Sequence, residues 1–347
     1  MFELPSALEY LSLSIFPVLS ALALKLTFGN LTDAGLHHQI QQNCPANFVS
    51  SQVTPHRLTY TGLSSVDEAL CGIVYFFHLA LTPEILPFLT YFMSTSMPLL
   101  VLPALESHRP GRHFLLALPL VFGLLMQVMT VGAVMPIYWL IFILSGAAQR
   151  RADGEKSTIS TAHVQAVAFG LFIGAAVPSA CLLLLEDSYV TAIWQLFPLW
   201  QYLAQSAHLL VRPPSTHKES GYPWVQALYI VAFIYGSSVH VATLTNAKTL
   251  EGVTVLFLPS VTPPKAAAPN MKVMNFLQWD AFFAFASSLL GTVWFAADVS
   301  QAICIILWNV VGSALVGPGA AIAAVALWRE SYLNQSGITR EVKQKSE

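Results

Sequence analysis

A carboxylate set inside an apolar stretch is costly to keep and is the first place to look for chemistry in a chain of this kind. Asp67, Glu84, Glu106, Asp280 and Asp298 all stand in or beside such stretches. Asp280 has the most suggestive setting. It lies in Asn275–Asp298 (NFLQWDAFFAFASSLLGTVWFAAD), and steps of three and four residues from it reach Ala284, Ser287, Gly291, Trp294 and Asp298. On a helix these form one small, polar face, which turns towards other helices or a cavity. Gln278 and Trp279 precede it and offer a hydrogen-bond partner and an aromatic face. A carboxyl withheld from water can hold its proton at neutral pH and act as a general acid. The plain alternative is an interfacial Asp280 that caps its helix or pairs with Lys272. Asp298 is roughly 27 Å further along a helix, too far to share the site, and is expected to cap Ser300–Gln301. Glu106 is expected to form a surface ion pair with Arg109 or Arg112.

Other polar residues recur at helical spacing. Trp194, Pro198, Gln201, Gln205 and His208 make one stripe; Gln226, Tyr229, Gly236, His240 and Thr243 a second; Asp67, Cys71, Tyr75 and His78 a third. They can line one polar pocket with the Asp280 face, or simply hydrogen-bond between helices for about 1 kcal/mol each. The candidates for chemistry are Asp280, Gln278, His240 and Asp67. The candidates for substrate contact are Trp279, Tyr229, Gln201, Gln205, Tyr138 and Trp294. Aromatic residues are abundant, with 21 Phe, 11 Tyr and 8 Trp, and their faces can steady a carbocation as well as form interfacial belts.

Several chemistries lack their residues. No aspartate-rich pair suits a magnesium-bound diphosphate, and no GxxxxGK[ST], HExxH or GxGxxG appears. The adjacent His37 and His38 make a poor chelate, and the four cysteines Cys44, Cys71, Cys181 and Cys304 are scattered with no CxxC pair. No metal or organic cofactor is expected.

The elements that must position these residues are membrane helices. Of 347 residues 55% are hydrophobic and only 10% charged, against about 25% charged in a soluble domain, and the mean hydropathy is +0.61. The net charge of −2 gives no case for nucleic acid. The expected fold is an all-α polytopic transmembrane helix bundle of nine to ten spans in one integral membrane domain. Candidate spans are 6–26, 67–81, 85–105, 114–131, 133–147, 163–185, 189–211, 224–246, 275–297 and 300–328, followed by a polar tail, 329–347. Gly132 and Pro136 are expected to divide the long run 114–147. No Lys or Arg precedes the first apolar run, which predicts a retained first helix. Asn30-Leu31-Thr32 is a possible glycosylation acceptor. Three connections carry Arg109 and Arg112; Arg150, Arg151 and Lys156; and Arg212 and Lys218. Ten spans put all three on one side, the cytoplasmic one by the positive-inside rule, and both termini on the other. Lys248, Lys265, Lys272 and the tail's Arg340, Lys343 and Lys345 argue partly against that arrangement.

The chain resembles small fungal integral-membrane terpene cyclases of meroterpenoid pathways, of the kind associated with ascofuranone and macrophorin biosynthesis. The resemblance covers most of the chain. It rests on the span layout, DEALCGIVYFF at Asp67–Phe77, PLLVLPALESHRPGR at Pro98–Arg112, Pro136-Ile137-Tyr138, and Phe276-Leu277-Gln278-Trp279-Asp280. It implies acid-initiated cyclisation of a linear prenyl chain on an aromatic or cyclohexenone head, starting at an alkene or a terminal epoxide. Asp280 and Gln278 match a QWD-like element. The expected partners are a lipophilic prenylated small molecule and membrane lipid, in the endoplasmic reticulum membrane. A transporter of a small organic molecule and a non-catalytic membrane scaffold are the alternative classes.

Overall fold

A computed structural model of the chain describes residues 4–46, 54–150, 157–263 and 265–346, with residues 4–9 and 335–346 as backbone only. Arg151, Lys156 and the side chains of Arg340, Lys343 and Lys345 lie outside the described residues. The structure is built of helices: α1 (Leu4–Leu24), α2 (Asn30–Asp33), α3 (Leu36–Asn43), α4 (Ser64–Ala80), α5 (Leu86–Thr95), α6 (Met97–Glu106), α7 (Pro119–Met129) and α8 (Val131–Leu144) form the first half. The second half holds α9 (Thr161–Leu171), α10 (Val177–Leu185), α11 (Ser188–Trp194), α12 (Phe197–Val211), α13 (Tyr222–Ala247), α14 (Leu250–Phe257), α15 (Pro269–Thr292), α16 (Val299–Leu315) and α17 (Pro318–Ser346). Proline opens many of them, at Pro87, Pro98, Pro119, Pro178, Pro198, Pro223 and Pro269, where its missing N–H costs nothing and its fixed φ suits the first turn. Five helical stretches are long and apolar enough to cross a bilayer: Tyr10–Asp33, Leu86–Glu106, Thr161–Leu185, Tyr222–Ala247 and Pro269–Phe295.

Polar contacts define two rims. At the first, Arg150 Nη1 donates to Pro110 O at 2.5 Å, Thr161 N to Glu219 O at 2.8 Å, and Arg109 reaches Ser157 O. The three basic connections therefore share one face, as the charge pattern predicts. Arg109 and Arg329 are buried there with Glu106 and Glu330, and Arg329 also caps Ala147 O at 2.8 Å and lies over the Phe295 ring at 4.6 Å. The two glutamates bracket Arg109 and hold its guanidinium charged despite burial. Glu106 is thus part of an interior ionic clasp instead of a surface pair. Residues Arg329 and Glu330, read from the sequence as the start of a polar tail, belong to the same clasp.

At the opposite rim Asn270 Nδ2 reaches Glu84 Oε2 at 3.3 Å, and His56 and His78 both approach Ser188 Oγ, at 3.1 and 3.4 Å. The segment 67–81, read as a crossing, becomes α4, whose start lies under Tyr60 packed on Tyr189 (5.5 Å) and whose end carries His78 to Ser188. Both ends of α4 meet the second rim, so it runs along that rim. The run 114–147 folds as a hairpin, α7 and α8, which leaves the basic rim and returns to it. The reversal falls at Thr130 (φ 76°, ψ 154°), two residues before the expected Gly132, while Pro136 stays inside α8. The span 300–328 likewise splits into α16 and α17 at Gly317 (φ 92°). Phe16 of α1 packs on Trp294 near the basic rim, at 5.5 Å, and α17 meets the clasp midway along its length, at Arg329 and Glu330. The first and last helices therefore both meet the basic rim, where the charge pattern places neither terminus. Of the ten expected spans, 67–81 is α4 at the second rim, 114–131 and 133–147 are the two arms of the hairpin, and 300–328 divides into α16 and α17. Asn30 is buried within α2, which leaves no room for a glycan.

α15 is the hub. Its buried residues run from Lys272 to Thr292 and cover nearly its whole circumference, as expected of a helix apolar on most sides and surrounded by others.

Candidate active site

A cavity of about 580 Å³ opens between α4, α5, α7–α8, α10–α12 and α15, a size in the usual range for a small-molecule site. Its wall is mainly apolar and aromatic, with Phe76, Phe77, Phe92, Trp194, Phe197 and Phe276 among the lining residues. Phe76 meets Phe276 edge-on at 5.0 Å and Phe77 meets Trp194 at 4.9 Å. Asp280 is the single carboxylate among the described lining residues.

The hairpin tip holds this carboxylate. Gly132 N donates to Asp280 Oδ1 at 2.5 Å, and the Thr130 hydroxyl sits beside the same group. Thr130 Oγ1 also accepts from Ala133 N at 3.3 Å and so caps α8. Asp280 thus lies at the N-terminus of a 14-residue helix, whose free N–H groups and dipole favour negative charge. The approach is close. A Cβ on Gly132 would stand 2.5 Å from Asp280 O and 3.0 Å from Oδ1, so only glycine lets the backbone N–H reach the carboxylate. Thr130 pays for the turn with a φ that β-branched residues rarely adopt. Among the described residues Asp280 has no ion-pair partner, and Lys272 does not meet it.

The other sequence-derived candidates lie apart from this cavity. Gln278 Nε2 donates to Val255 O and Leu256 O, both at 2.8 Å, and ties α14 to α15. His240 Nδ1 meets Tyr91 Oη at 3.0 Å and Nε2 meets Ala314 O at 3.3 Å, beneath Gly317. Asp67 accepts from Thr61 N, Thr61 Oγ1 and Gly62 N and shapes the turn before α4. Trp279 donates to Ser260 O at 3.0 Å and stacks on Phe283. Tyr138 packs between Phe122 and Phe142 with its hydroxyl unpartnered. Tyr229 is buried beside the clasp carboxylates, and Trp294 packs on Phe16. Gln201 and Gln205 line a much smaller cavity of about 40 Å³ that adjoins the large one and shares Leu99, Leu100, Met126 and Phe197 with it. Asp298 accepts from Gln301 N at 2.9 Å, the cap its position predicts.

The structure adds lining residues that the stripes passed over: His37, Ser96, Gln127, Thr130, Ser179 and Gln195. Two carried a signal. Ser96 sits just before Met97-Pro98, where a helix break is readable, and Gln127 is a polar residue inside an otherwise apolar run. The lid over the cavity is held by a disulfide, Cys44–Cys71, with Cα atoms 5.7 Å apart, joining α3 to α4. Burial and the stacked ring of His78 push His56, on the lid loop, down to about 4.

Comparison with known proteins gives relatives of low identity. The chain is 26% identical to "Terpene cyclase ascI" of Acremonium egyptiacum over 252 residues, 68% of this chain and 65% of that protein's length. It is 23% identical to "Terpene cyclase ctvD" of Aspergillus terreus over 300 residues, 79% of this chain and 85% of that protein. It is 20% identical to "FAD-dependent monooxygenase verC1" of Penicillium polonicum over 249 residues, 66% of this chain but 30% of that protein. No solved structure matches. The family model of the CtvD domain matches residues 12–333, and the chain belongs to that family.

Proposed function

We propose that the chain is an integral-membrane terpene cyclase that isomerises a linear prenyl chain on a lipophilic substrate, with Asp280 as the proton donor. One observation carries the reading: a carboxylate, single among the described lining residues and fixed by a helix N-terminus, faces a large aromatic cavity inside a membrane bundle. The names of the two terpene cyclase relatives support the reaction class.

In this mechanism Gly132 N–H holds Asp280 Oδ1, the Thr130 hydroxyl steadies the same carboxyl, and Oδ2 is the oxygen assigned to the substrate. Oδ2 delivers its proton to an epoxide oxygen or to an alkene carbon. The C–O bond opens, or the π pair becomes a C–H bond, and the more substituted carbon becomes cationic. Successive alkenes attack it, each step forming a C–C bond and moving the positive charge along the chain. Phe76, Phe77, Phe276 and Trp194 present π faces to that charge. A substrate oxygen captures the last cation, or carbon loses a proton, and one proton returns to Asp280. Substrate and product have equal mass. The positive end of α8 stabilises the carboxylate while it is ionised, and the mainly apolar wall keeps water from the cation.

For location we propose the endoplasmic reticulum membrane with the basic rim in the cytoplasm. Two independent features agree: the clustered Arg and Lys connections favour the cytoplasmic side, and the Cys44–Cys71 disulfide on the opposite rim suits an oxidising lumen.

The test is an assay on yeast microsomes containing the chain, supplied with a linear farnesylated phenol and with its terminal epoxide, and no cofactor. The expected result is an isomer of unchanged mass and altered retention. Unchanged substrate with folded, abundant protein would overturn the reading, and movement of unaltered substrate across sealed vesicles would replace it with transport.

A further inference from the structure

Few of the residues lining the cavity are exposed on the outer surface, and their places mark its mouth. Phe28, in the helical turn between α1 and α2, is 40% exposed and Val128 in the last turn of α7 is 73% exposed. His37 on α3 and Ala69 on α4 are exposed as well. The remaining wall is buried or partly buried.

The hairpin explains why the mouth is lateral. α7 has 11 residues and extends about 16 Å, roughly half of a 30 Å hydrocarbon core. It stops at the level of Asp280, and its final turn forms one edge of the cavity. The exterior around this edge is apolar: Val121, Leu125, Val128 and Met129 on α7 and Phe172, Ile173 and Val177 across the gap are all exposed, the pattern of a lipid-facing surface. His37 and Ala69 belong to the lid elements of the opposite rim, where water begins.

We infer that the cavity is loaded sideways from the bilayer, through a cleft bordered by Phe28 and Val128 in the hydrocarbon core and by His37 and Ala69 at the rim, by an amphiphile that enters tail first. Its apolar end passes Val128 to reach Asp280, and its polar head stays at the His37 end of the cleft. This inference rests on the proposed function for the identity of the amphiphile, but the loading step itself involves no chemistry.

The experiment uses the full chain in phosphatidylcholine vesicles and a dansylated farnesyl phenol dissolved in the same bilayer, with loading followed by fluorescence and conversion by single-turnover analysis. Val128→Trp should slow loading by about tenfold, within the span over which on-rates move among variants of one site. Val121→Trp, on the same lipid-facing helix but outside the cavity wall, should load as the wild type does. As a second arm, Val128→Cys in a Cys181→Ser, Cys304→Ser background is labelled after folding with maleimides of rising size, and loading should slow with size. Loading of Val128→Trp at the wild-type rate, equal slowing by both tryptophans, or loss of conversion with loading intact would each overturn the lateral route. Wild-type loading with no isomer formed would count against the cyclase reading alone, and the loading comparison would still decide the route.

Discussion

Gly132→Ala is the smallest change that attacks the proposed proton donor without touching it. The added Cβ would stand 2.5 Å from the backbone oxygen of Asp280, about 0.9 Å short of the 3.4 Å at which ordinary contact begins, and 3.1 Å from Phe283 Cβ. The main obstruction is backbone of the central helix, so no rotamer change relieves it. The hairpin tip must move away by most of an ångström, which lengthens the Gly132 N–H to Oδ1 bond from 2.5 Å and takes Thr130 with it. Overpacking of this kind costs about 1–3 kcal/mol of stability. Misplacing a catalytic group by an ångström costs about a hundredfold in rate. The expected result is a protein that folds with a modestly lower thermal midpoint, and whose single-turnover cyclisation is about a hundredfold slower with substrate binding little changed. The assay is single-turnover conversion in microsomes, with binding measured separately. Wild-type turnover in a folded Gly132→Ala protein would refute the idea that the hairpin tip sets the position of Asp280.

Two further outcomes follow from the lid and the basic rim. Replacing Cys44 and Cys71 by serine opens a cross-link between residues 27 apart, a loop whose closure is worth about 3–4 kcal/mol in the chain-entropy account; the thermal midpoint should fall, and substrate affinity should fall with it because α3 and α4 carry cavity wall. Unchanged affinity in the folded double variant would remove the lid role. His108 is stacked on His163 at 4.7 Å, and burial, His163 and Arg112 push it from 6.5 down to about 4. Between those values the unfolded chain takes up a proton that the folded one refuses, so stability is full above pH 6.5 and declines as the pH falls through the window, by at most about 1.4 kcal/mol per pH unit. His108→Asn should flatten the pH dependence of the thermal midpoint in detergent between pH 7 and 5, and an unaltered slope would contradict the assignment.

Much of the fold was legible because bilayer physics writes itself into composition. Low charge, long apolar runs and three basic connections were enough for an all-α membrane bundle with those connections on one face. The helix through Asp280 was readable from its small, polar stripe, and Asp280 does face the cavity. The failures have local causes. The hairpin reverses at Thr130, a residue with no turn propensity that is held there by what surrounds it, so the sequence pointed to Gly132, whose real duty is close approach to α15. α4 carries enough apolar residues to pass for a span because one of its faces lines the cavity. The cysteines of the disulfide are far apart in sequence and gave no spacing signal. Gln278 and His240 are polar because they join helices, and a helical stripe does not distinguish a joint from a pocket.

The account depends most on Asp280 as the proton donor. Asp280→Asn keeps an oxygen to accept from Gly132 N–H and cannot donate an acidic proton. The measurement is single-turnover conversion of the farnesylated phenol and of its epoxide by this variant in microsomes, beside a thermal midpoint and a binding measurement. The account predicts a folded protein that binds substrate and cyclises it at least about a hundred to ten thousand times more slowly, the usual share of general acid catalysis. Turnover near the wild-type rate in a folded Asp280→Asn protein would contradict it.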